Sequence, residues 1–340
     1  MKFLIAGLGS IGRRHLRNLI TLGEDDIVLY RTGKSSLPDE ELEHFPIEFS
    51  LEAALGHEPD AVIVSNPTAM HLDVAIPAAR QGCHLLIEKP VSHSTARIEE
   101  LREAVEAQGV KVLVGFQFRF HPGIQAVKEA ITESKIGRPF YVSAHWGEHL
   151  PGWHPWEDYR NSYAARQDLG GGVALTLCHP FDYLRWIFGA VESVMAQVDQ
   201  LGPWDIPVED HVNALLDFKL GLRGCVHLDY IQRPPEHSLK ILGTEGTILW
   251  DNADGAAHIY RADGEGWQSV PLHKGFERND LFVEEMRHFL RVVAEGENPR
   301  CDLRDGIEAL RIVEAVKAAS QYGKRLFMAD FPSSASPLDK

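Results

Sequence analysis

Two side chains in this 340-residue chain have the setting that proton chemistry needs. Lys89 lies in Glu88-Lys89-Pro90, directly after the apolar run Leu85-Leu86-Ile87. His179 lies in a segment that opens with Gly170-Gly171-Gly172 and continues Val173-Ala174-Leu175-Thr176-Leu177-Cys178-His179-Pro180-Phe181-Asp182. A lysine at the end of a buried strand is partly desolvated. That lowers its pKa toward neutrality and lets the amine exchange a proton with an alcohol or carbonyl oxygen, an effect commonly worth ~10²-fold or more in rate. Histidine titrates near ~6.5 when unperturbed, and at helical spacing His179, Asp182 and Tyr183 share a face, so a carboxylate can orient the ring. Each residue also has a plainer reading: a solvated lysine paired with Glu88, and a core histidine satisfied by backbone carbonyls. The triple glycine, which lets other backbone approach the start of the helix, weighs for function at His179.

The elements that must position these groups begin at the first residues. The strand Lys2-Phe3-Leu4-Ile5-Ala6 runs into Gly7-Leu8-Gly9-Ser10-Ile11-Gly12 and then a helical pattern. Gly7 suits the tight turn, Gly9 lets backbone approach a pyrophosphate, and Gly12 permits close packing of helix on strand. The helix N-terminal N–H groups then face the anion, so Gly7, Gly9, Ser10, Ile11 and Gly12 are cofactor-binding candidates. Apolar runs at 2–6, 27–30, 61–64, 84–87 and 111–114 read as strands, with helices around 12–22, 69–81 and 94–108 between them. This alternation implies a parallel sheet with right-handed crossovers, whose ligands gather at the carboxyl ends of the strands.

Beyond residue 120 the pattern changes. A helix near 122–133, a strand at 140–145, a loop rich in Gly, Pro and Trp, and a helix over 173–188 precede runs at 191–199, 211–218, 224–231, 238–242 and 246–250. These read as a mostly antiparallel sheet. Two late helices, near 280–295 and 303–321, close the chain, with Asp302 and Asp305 in an N-cap arrangement. The fold class is therefore a doubly wound parallel α/β domain over 1–120 joined to an α+β domain over 121–330. Helix 303–321 is a candidate to pack back on the first domain, and 331–340 forms a loose Pro/Ser-rich tail.

Composition narrows the chemistry further. With 44% hydrophobic and 24% charged residues the chain is an ordinary globular protein, and its formal net charge of −15 argues against nucleic acid or an anionic membrane as partner. No stretch approaches a membrane span, and no signal-peptide core develops before the glycine turn. Cys83, Cys178, Cys225 and Cys301 are isolated, which excludes a CxxC zinc site and points to a reducing, cytoplasmic setting. His145-Trp146-Gly147-Glu148-His149 matches a zinc-protease pattern that requires one helical face. The preceding residues read as a strand and Gly147, Pro151 and Gly152 break a helix, so no metal site is assigned there. Arg13, Arg14 and Arg17 read first as a solvated helix face and second as phosphate ligands.

Together the glycine turn, Ser65-Asn66-Pro67-Thr68-Ala69-Met70-His71, Glu88-Lys89-Pro90, Gly115-Phe116-Gln117-Phe118-Arg119-Phe120-His121-Pro122 and the glycine–His179–Asp182 segment resemble the glucose–fructose oxidoreductase / inositol dehydrogenase (Gfo/Idh/MocA) family over nearly the whole chain. The resemblance implies an N-terminal Rossmann domain, a C-terminal α+β domain built on a large open sheet, a nicotinamide cofactor, and a homodimer or homotetramer formed through that sheet. By position it makes Lys89 and His179 the catalytic pair, and puts Asn66, Pro67, His71, Glu88 and Lys89 at the cofactor. Arg119, Tyr163 in Tyr159-Arg160-Asn161-Ser162-Tyr163, and Asp182 become substrate contacts. Many family members carry an aspartate four residues before the histidine. Leu175 stands there, and Thr176, one position off, is a poor base; proton transfer is then shared by Lys89 and His179.

Cofactor choice is read at the end of the second strand, where an acidic residue accepts from ribose hydroxyls in NAD-binding chains. Here the strand runs into Tyr30-Arg31-Thr32-Gly33-Lys34-Ser35. Arg31, with Lys34 or Ser35, can hold a 2′-phosphate, favouring NADP over NAD. The expected activity is hydride transfer between nicotinamide and a secondary alcohol or ketone of a sugar, cyclitol or sugar derivative. The alternatives are a catalytically inactive cofactor-binding regulator, and a same-fold reductase of a non-sugar carbonyl or conjugated double bond. The three tryptophans Trp146, Trp153 and Trp156 read either as sugar-stacking groups or as satellite core.

Overall fold

A computed structural model describes residues 1–33, 39–153 and 158–331. In chain order the strands and helices are β1 (Phe3–Ala6), α1 (Ser10–Thr21), β2 (Ile27–Tyr30), β3 (Ile47–Glu48), α2 (Leu51–Leu55), β4 (Ala61–Val64), α3 (His71–Arg80), β5 (His84–Glu88), α4 (Ile98–Gln108) and β6 (Val112–Gly115). They continue with α5 (Pro122–Thr132), β7 (Pro139–Gly147), α6 (Val173–Thr176), α7 (His179–Phe188), β8 (Val191–Asp199), β9 (His211–Phe218), β10 (Arg223–Asp229), β11 (Glu236–Gly243), β12 (Gly246–Asp251), β13 (Ala257–Arg261), β14 (Trp267–Val270), α8 (Arg278–Glu295), α9 (Leu303–Tyr322) and β15 (Leu326–Phe327).

Two compact units divide the described residues: those up to Gln117 with Arg278–Glu308, and Phe118–Glu277 with 309–331. In the first, six parallel strands are ordered β3-β2-β1-β4-β5-β6, the order of a doubly wound dinucleotide fold. Phe3, Leu4, Ile5 and Ala6 of β1 and Ala61, Val62, Ile63 and Val64 of β4 are wholly buried. A parallel sheet covered on both faces selects such unbroken apolar runs, each large side chain contributing ~1.5–3 kcal/mol. The sequence places 278–308 in the second domain. Instead α8 packs on α1, with Arg14 4.4 Å over the Phe282 ring and Asn279 donating to Asn18 at 2.9 Å. The start of α9 lies against β6, where Gly306 leaves room for Val114.

The second unit carries nine strands in the order β14-β13-β12-β11-β7-β10-β9-β8-β15, antiparallel except for β7 beside β10. Its strands alternate buried and exposed residues, as in β9, where Val212, Ala214, Leu216 and Phe218 face the core. The expected helix over 173–188 is two helices: α6 is a single turn, and α7 restarts at His179 with Pro180 in its first turn, where a missing N–H costs nothing. The expected cap is present, since Asp302 Oδ1 accepts from the Asp305 N–H at 2.8 Å. Among the described residues no helix is long and apolar enough to cross a membrane. The four cysteines are free thiols.

Candidate functional site

In the first unit the glycine turn is shaped by what it touches. At Gly7, with φ +96°, a Cβ would come within 2.4 Å of the Asn66 backbone. At Gly12 it would come within 1.9 Å of the Gly7 carbonyl oxygen. Both glycines are thus demanded by packing of the turn against the end of β4. Gly9 differs, because nothing lies within 4 Å of the position its Cβ would take. It sits at the N-cap of α1, and no side chain caps that helix. The first N–H groups, around Ser10, Ile11 and Gly12, therefore face open space at the positive end of the helix dipole, a fit for a pyrophosphate.

The arginines that follow are committed elsewhere. Arg13 is buried rather than solvated; its Nε donates to the Leu8 carbonyl at 3.0 Å and its guanidinium pairs with Glu41 and Asp39. Arg17 pairs with Glu41. At the end of β2, Arg31 meets Asp39 at 2.6 Å. The hydrogen bond from Arg31 is the main cause holding the Asp39 carboxyl below its ordinary range. Arg31 Nε is nonetheless buried with no hydrogen-bond partner among the described residues, the kind of orphaned donor that a phosphate oxygen would satisfy. Lys34 and Ser35 lie outside the described residues.

Beyond β4, Asn66 Nδ2 donates to the Met70 carbonyl at 3.0 Å, and half-buried Pro67 precedes the turn that enters α3. The His71 ring is buried between the carbonyls of Pro90 and Asn66, at 3.0 Å each. Burial favours the neutral ring and lowers its pKa; a neutral imidazole donates to only one of the two. His71 thereby ties the β4 loop to the segment after Lys89.

Lys89 is half-buried at the carboxyl end of β5. Glu88, expected at the cofactor, is instead buried and lies 2.8 Å from His15 Nε2. Burial pushes the Glu88 carboxyl up, but the hydrogen bond with His15 and the electrostatic influence of His15, Lys89 and His71 outweigh it and hold the group below its ordinary range. Glu285 of α8 is fully buried and its carboxyl oxygens have no hydrogen-bond partner among the described residues. Burial, and then the charge of Glu88, raise its pKa well above the usual value. Two neighbouring carboxyls are thus shifted in opposite directions, Glu88 down and Glu285 up.

In the second unit His179 is buried at the first turn of α7, edge-on to Phe118 at 5.0 Å and stacked near Trp146 at 5.4 Å between ring centroids. Asp182, one turn on, is held by Arg119 in a bidentate pair at 2.6 to 3.2 Å, and both residues are about 1% exposed. The two expected substrate contacts are each other's partners. Leu175 and Thr176 are both buried on α6. Tyr163 is 37% exposed, so it has a face open to a ligand. Trp153 packs edge-on against Tyr230, the satellite-core reading, and Trp156 lies outside the described residues.

Residue pattern alone misses His15, Glu285, His121 and His237. His237 stacks on Trp146 at 4.1 Å and faces the Tyr183 hydroxyl at 3.3 Å. Burial, then the nearby His121 and His145, keep its pKa well below the ordinary value. His121 caps α5 by accepting from the Gly123 N–H, and burial lowers it to about 4. Glu285 does leave a signal: it is the one acid on the helix stripe of Leu281, Phe282, Met286 and Phe289.

Residues 1–116 match the model of an oxidoreductase family with an NAD-binding Rossmann fold, and residues 124–249 match the GFO/IDH/MocA C-terminal domain. The chain is 28% identical to a myo-inositol 2-dehydrogenase of Thermotoga maritima over 93% of this chain and 95% of that one. It is 25% identical to a D-xylose 1-dehydrogenase (NADP(+)) of Haloferax volcanii over 95% and 98%. Among solved structures, levoglucosan dehydrogenase in complex with NADH and L-sorbose superposes with a TM-score of 0.87 at 18% identity, covering 98% of this chain and 99% of that one. With both family models matched and the dinucleotide turn in place, this chain belongs to the GFO/IDH/MocA family of NAD(P)-dependent oxidoreductases.

Proposed function

We propose that the protein oxidises a secondary alcohol of a sugar or cyclitol, or reduces the matching ketone, with Lys89 as the principal proton-handling group. The bound nicotinamide supplies the hydride chemistry. The observation that carries the reading is the setting of Lys89: a half-buried amine at the ligand end of the parallel sheet, next to the buried Glu88–His15 pair. That neighbouring negative charge stabilises the ammonium, which donates to a developing alkoxide during reduction. In the alcohol direction the deprotonated amine accepts the hydroxyl proton. Gly7, Gly9, Ser10, Ile11 and Gly12 receive the pyrophosphate, and Asn66, Pro67 and His71 line the nicotinamide side. Arg31 holds a 2′-phosphate, which favours NADP; a relative named for NADP(+) and a neighbour solved with NADH bracket the choice.

His179 assists proton transfer and Tyr163 contacts substrate. Arg119 and Asp182 act as positioning residues that fix the first turn of α7. The open sheet is the homo-oligomer interface, supported by Met195 at 41% and Leu215 at 54% exposed on paired positions of β8 and β9; light scattering coupled to size exclusion tests it, a monomer contradicting it.

The test is NADP reduction across a panel of sugars, nucleotide sugars and inositols, with the wild type beside Lys89→Ala. Turnover in the variant is expected to fall by ~10²–10⁴-fold, with NADPH affinity changed no more than a few-fold; undiminished turnover overturns the assignment. Leu175, in place of the aspartate usual in the family, favours a second reading as an inactive cofactor-binding regulator. That reading requires NADPH binding without turnover on any member of the panel.

A further inference from the structure

No acid follows β2 directly, where NAD-binding chains carry one to accept from the adenosine ribose: Arg31 and Thr32 come after Tyr30, and Asp25 and Asp26 precede the strand. The fold supplies one from further along the chain. Asp39 returns to Arg31, so that its Oδ1 lies 2.6 Å from Arg31 Nη1 and 3.3 Å from Arg13 Nη2. Arg13 is buried on α1, and its Nε donates to the Leu8 carbonyl of the glycine turn. One carboxylate is thus tied both to the end of β2 and to the pyrophosphate turn, the two points that bracket the adenosine ribose in a doubly wound fold.

The carboxylate and the guanidinium it holds have opposite preferences. The Asp39 side chain is 55% exposed and keeps acceptor capacity for a ribose hydroxyl. Arg31 is 10% exposed, and its orphaned Nε keeps a donor for a phosphate oxygen. A hydroxyl is neutral and suits Asp39. A 2′-phosphate, which carries about −1.5 to −2 at pH 7, suits Arg31 but must share it with a carboxylate that repels it. The hydrogen bond from Arg31 keeps that carboxylate ionised at neutral pH.

The neighbouring cations do little to offset the repulsion. Arg13 and Arg17 both pair with Glu41 at 2.8 Å. In this ion-pair network, three guanidiniums (Arg13, Arg17, Arg31) against two carboxylates (Asp39, Glu41) leave one positive charge. That is enough to attract a 2′-phosphate and too little to neutralise it. The pair also differs from a solvated one such as Arg97–Asp73, which is exposed at both ends: here both guanidiniums are buried and the carboxylate faces outward.

We propose that Asp39 is a specificity-determining residue of the cofactor site. It accepts from the ribose hydroxyls of NAD(H) and opposes the 2′-phosphate that Arg31 attracts, so that Asp39 sets the ratio in which the two cofactors are bound. This role rests on the proposed contact of Arg31 with the 2′-phosphate. The test is fluorescence titration of the full-length protein with NADH and with NADPH, without substrate, for wild type, Asp39→Asn and Arg31→Ala. Asp39→Asn keeps the shape and removes the charge. It should tighten NADPH by about fivefold and weaken NADH, which loses a charge-assisted acceptor, by about threefold. The ratio of the NADH Kd to the NADPH Kd should therefore rise by about tenfold or more, and Asp39→Ser should move it the same way. The gain for NADPH should shrink between about 0.05 and about 0.5 M KCl, as a screened charge requires and a packing effect does not. A ratio that is unchanged or falls in both Asp39 variants overturns the role of Asp39; a fall would mean that the carboxylate only props Arg31 in place. With NADPH still weakened in Arg31→Ala, that result leaves the Arg31 contact standing. NADPH affinity unchanged in Arg31→Ala removes the contact and the role of Asp39 with it.

Discussion

The strand end that carries Lys89 and the helix start that carries His179 are built in opposite ways. Beside Lys89 the groups are ionisable: Glu88 is hydrogen-bonded to His15 and held below its ordinary range, and the charge of Glu88 in turn helps push the buried Glu285 up. Around His179 the neighbours are Phe118 and Trp146, and the carboxylate one turn on is locked to Arg119, whose charge is permanent. A site that must move a proton needs a group that can take either protonation state, the role proposed above for Lys89. The helix start provides rigidity. The contrast is the support for the proposed roles, proton handling by the lysine and a rigid helix start at His179.

Breaking the rigid half should produce the largest effect. Arg119→Met strands a buried carboxylate and is expected to lower unfolding free energy by ~3–5 kcal/mol in urea titrations. The double variant Arg119→Met with Asp182→Leu should recover most of that loss; no recovery would mean that the pair is not what Arg119 stabilises. Next, Arg31→Ala should weaken NADPH by roughly 1.5–3 kcal/mol, about tenfold or more, through lost charge-assisted hydrogen bonds. NADH affinity should be unchanged, and an equal loss for both cofactors would remove Arg31 from the 2′-phosphate.

The adjustable half is probed by pH. Glu285 has a raised folded-state pKa, so the stability it contributes is complete below its unfolded value near ~4.5 and is lost as pH rises toward the folded value. Glu285→Gln mimics the protonated acid at every pH. It should match wild type near pH ~4.5 and exceed it by a margin that widens as pH rises toward ~8; a difference that does not grow with pH would place the proton elsewhere. His121 shifts the other way. Its neutral ring contributes stability that is present above ~6.5 and lost as pH falls toward about 4, so His121→Asn should flatten the acid side of the same profile.

What the sequence made legible follows from where the determinants lie. β1 and β4 are apolar throughout, and β5 is apolar at Leu85, Leu86 and Ile87, because both faces are covered, and the glycine turn is local, so both could be read from neighbouring residues. β3, β14 and β15 escaped because they are short edge strands with weak patterns, and β13, one strand in from the edge, because its own pattern is weak. The partners that hold Glu88 and Asp182, His15 and Arg119, were not legible because they lie far away in the chain and only the fold brings them together. The loss of 278–308 from the second domain has the same origin: α8 reveals its unit through Phe282 and Asn279 meeting α1, not through its own periodicity.

The division of labour between the two groups is tested most directly by single-turnover hydride transfer with cofactor bound, comparing Lys89→Met with His179→Asn on one alcohol substrate. The account expects Lys89→Met to slow the step by ~10²–10⁴-fold and His179→Asn to slow it by clearly less. A Lys89→Met rate equal to wild type, with the histidine variant inactive, would contradict it.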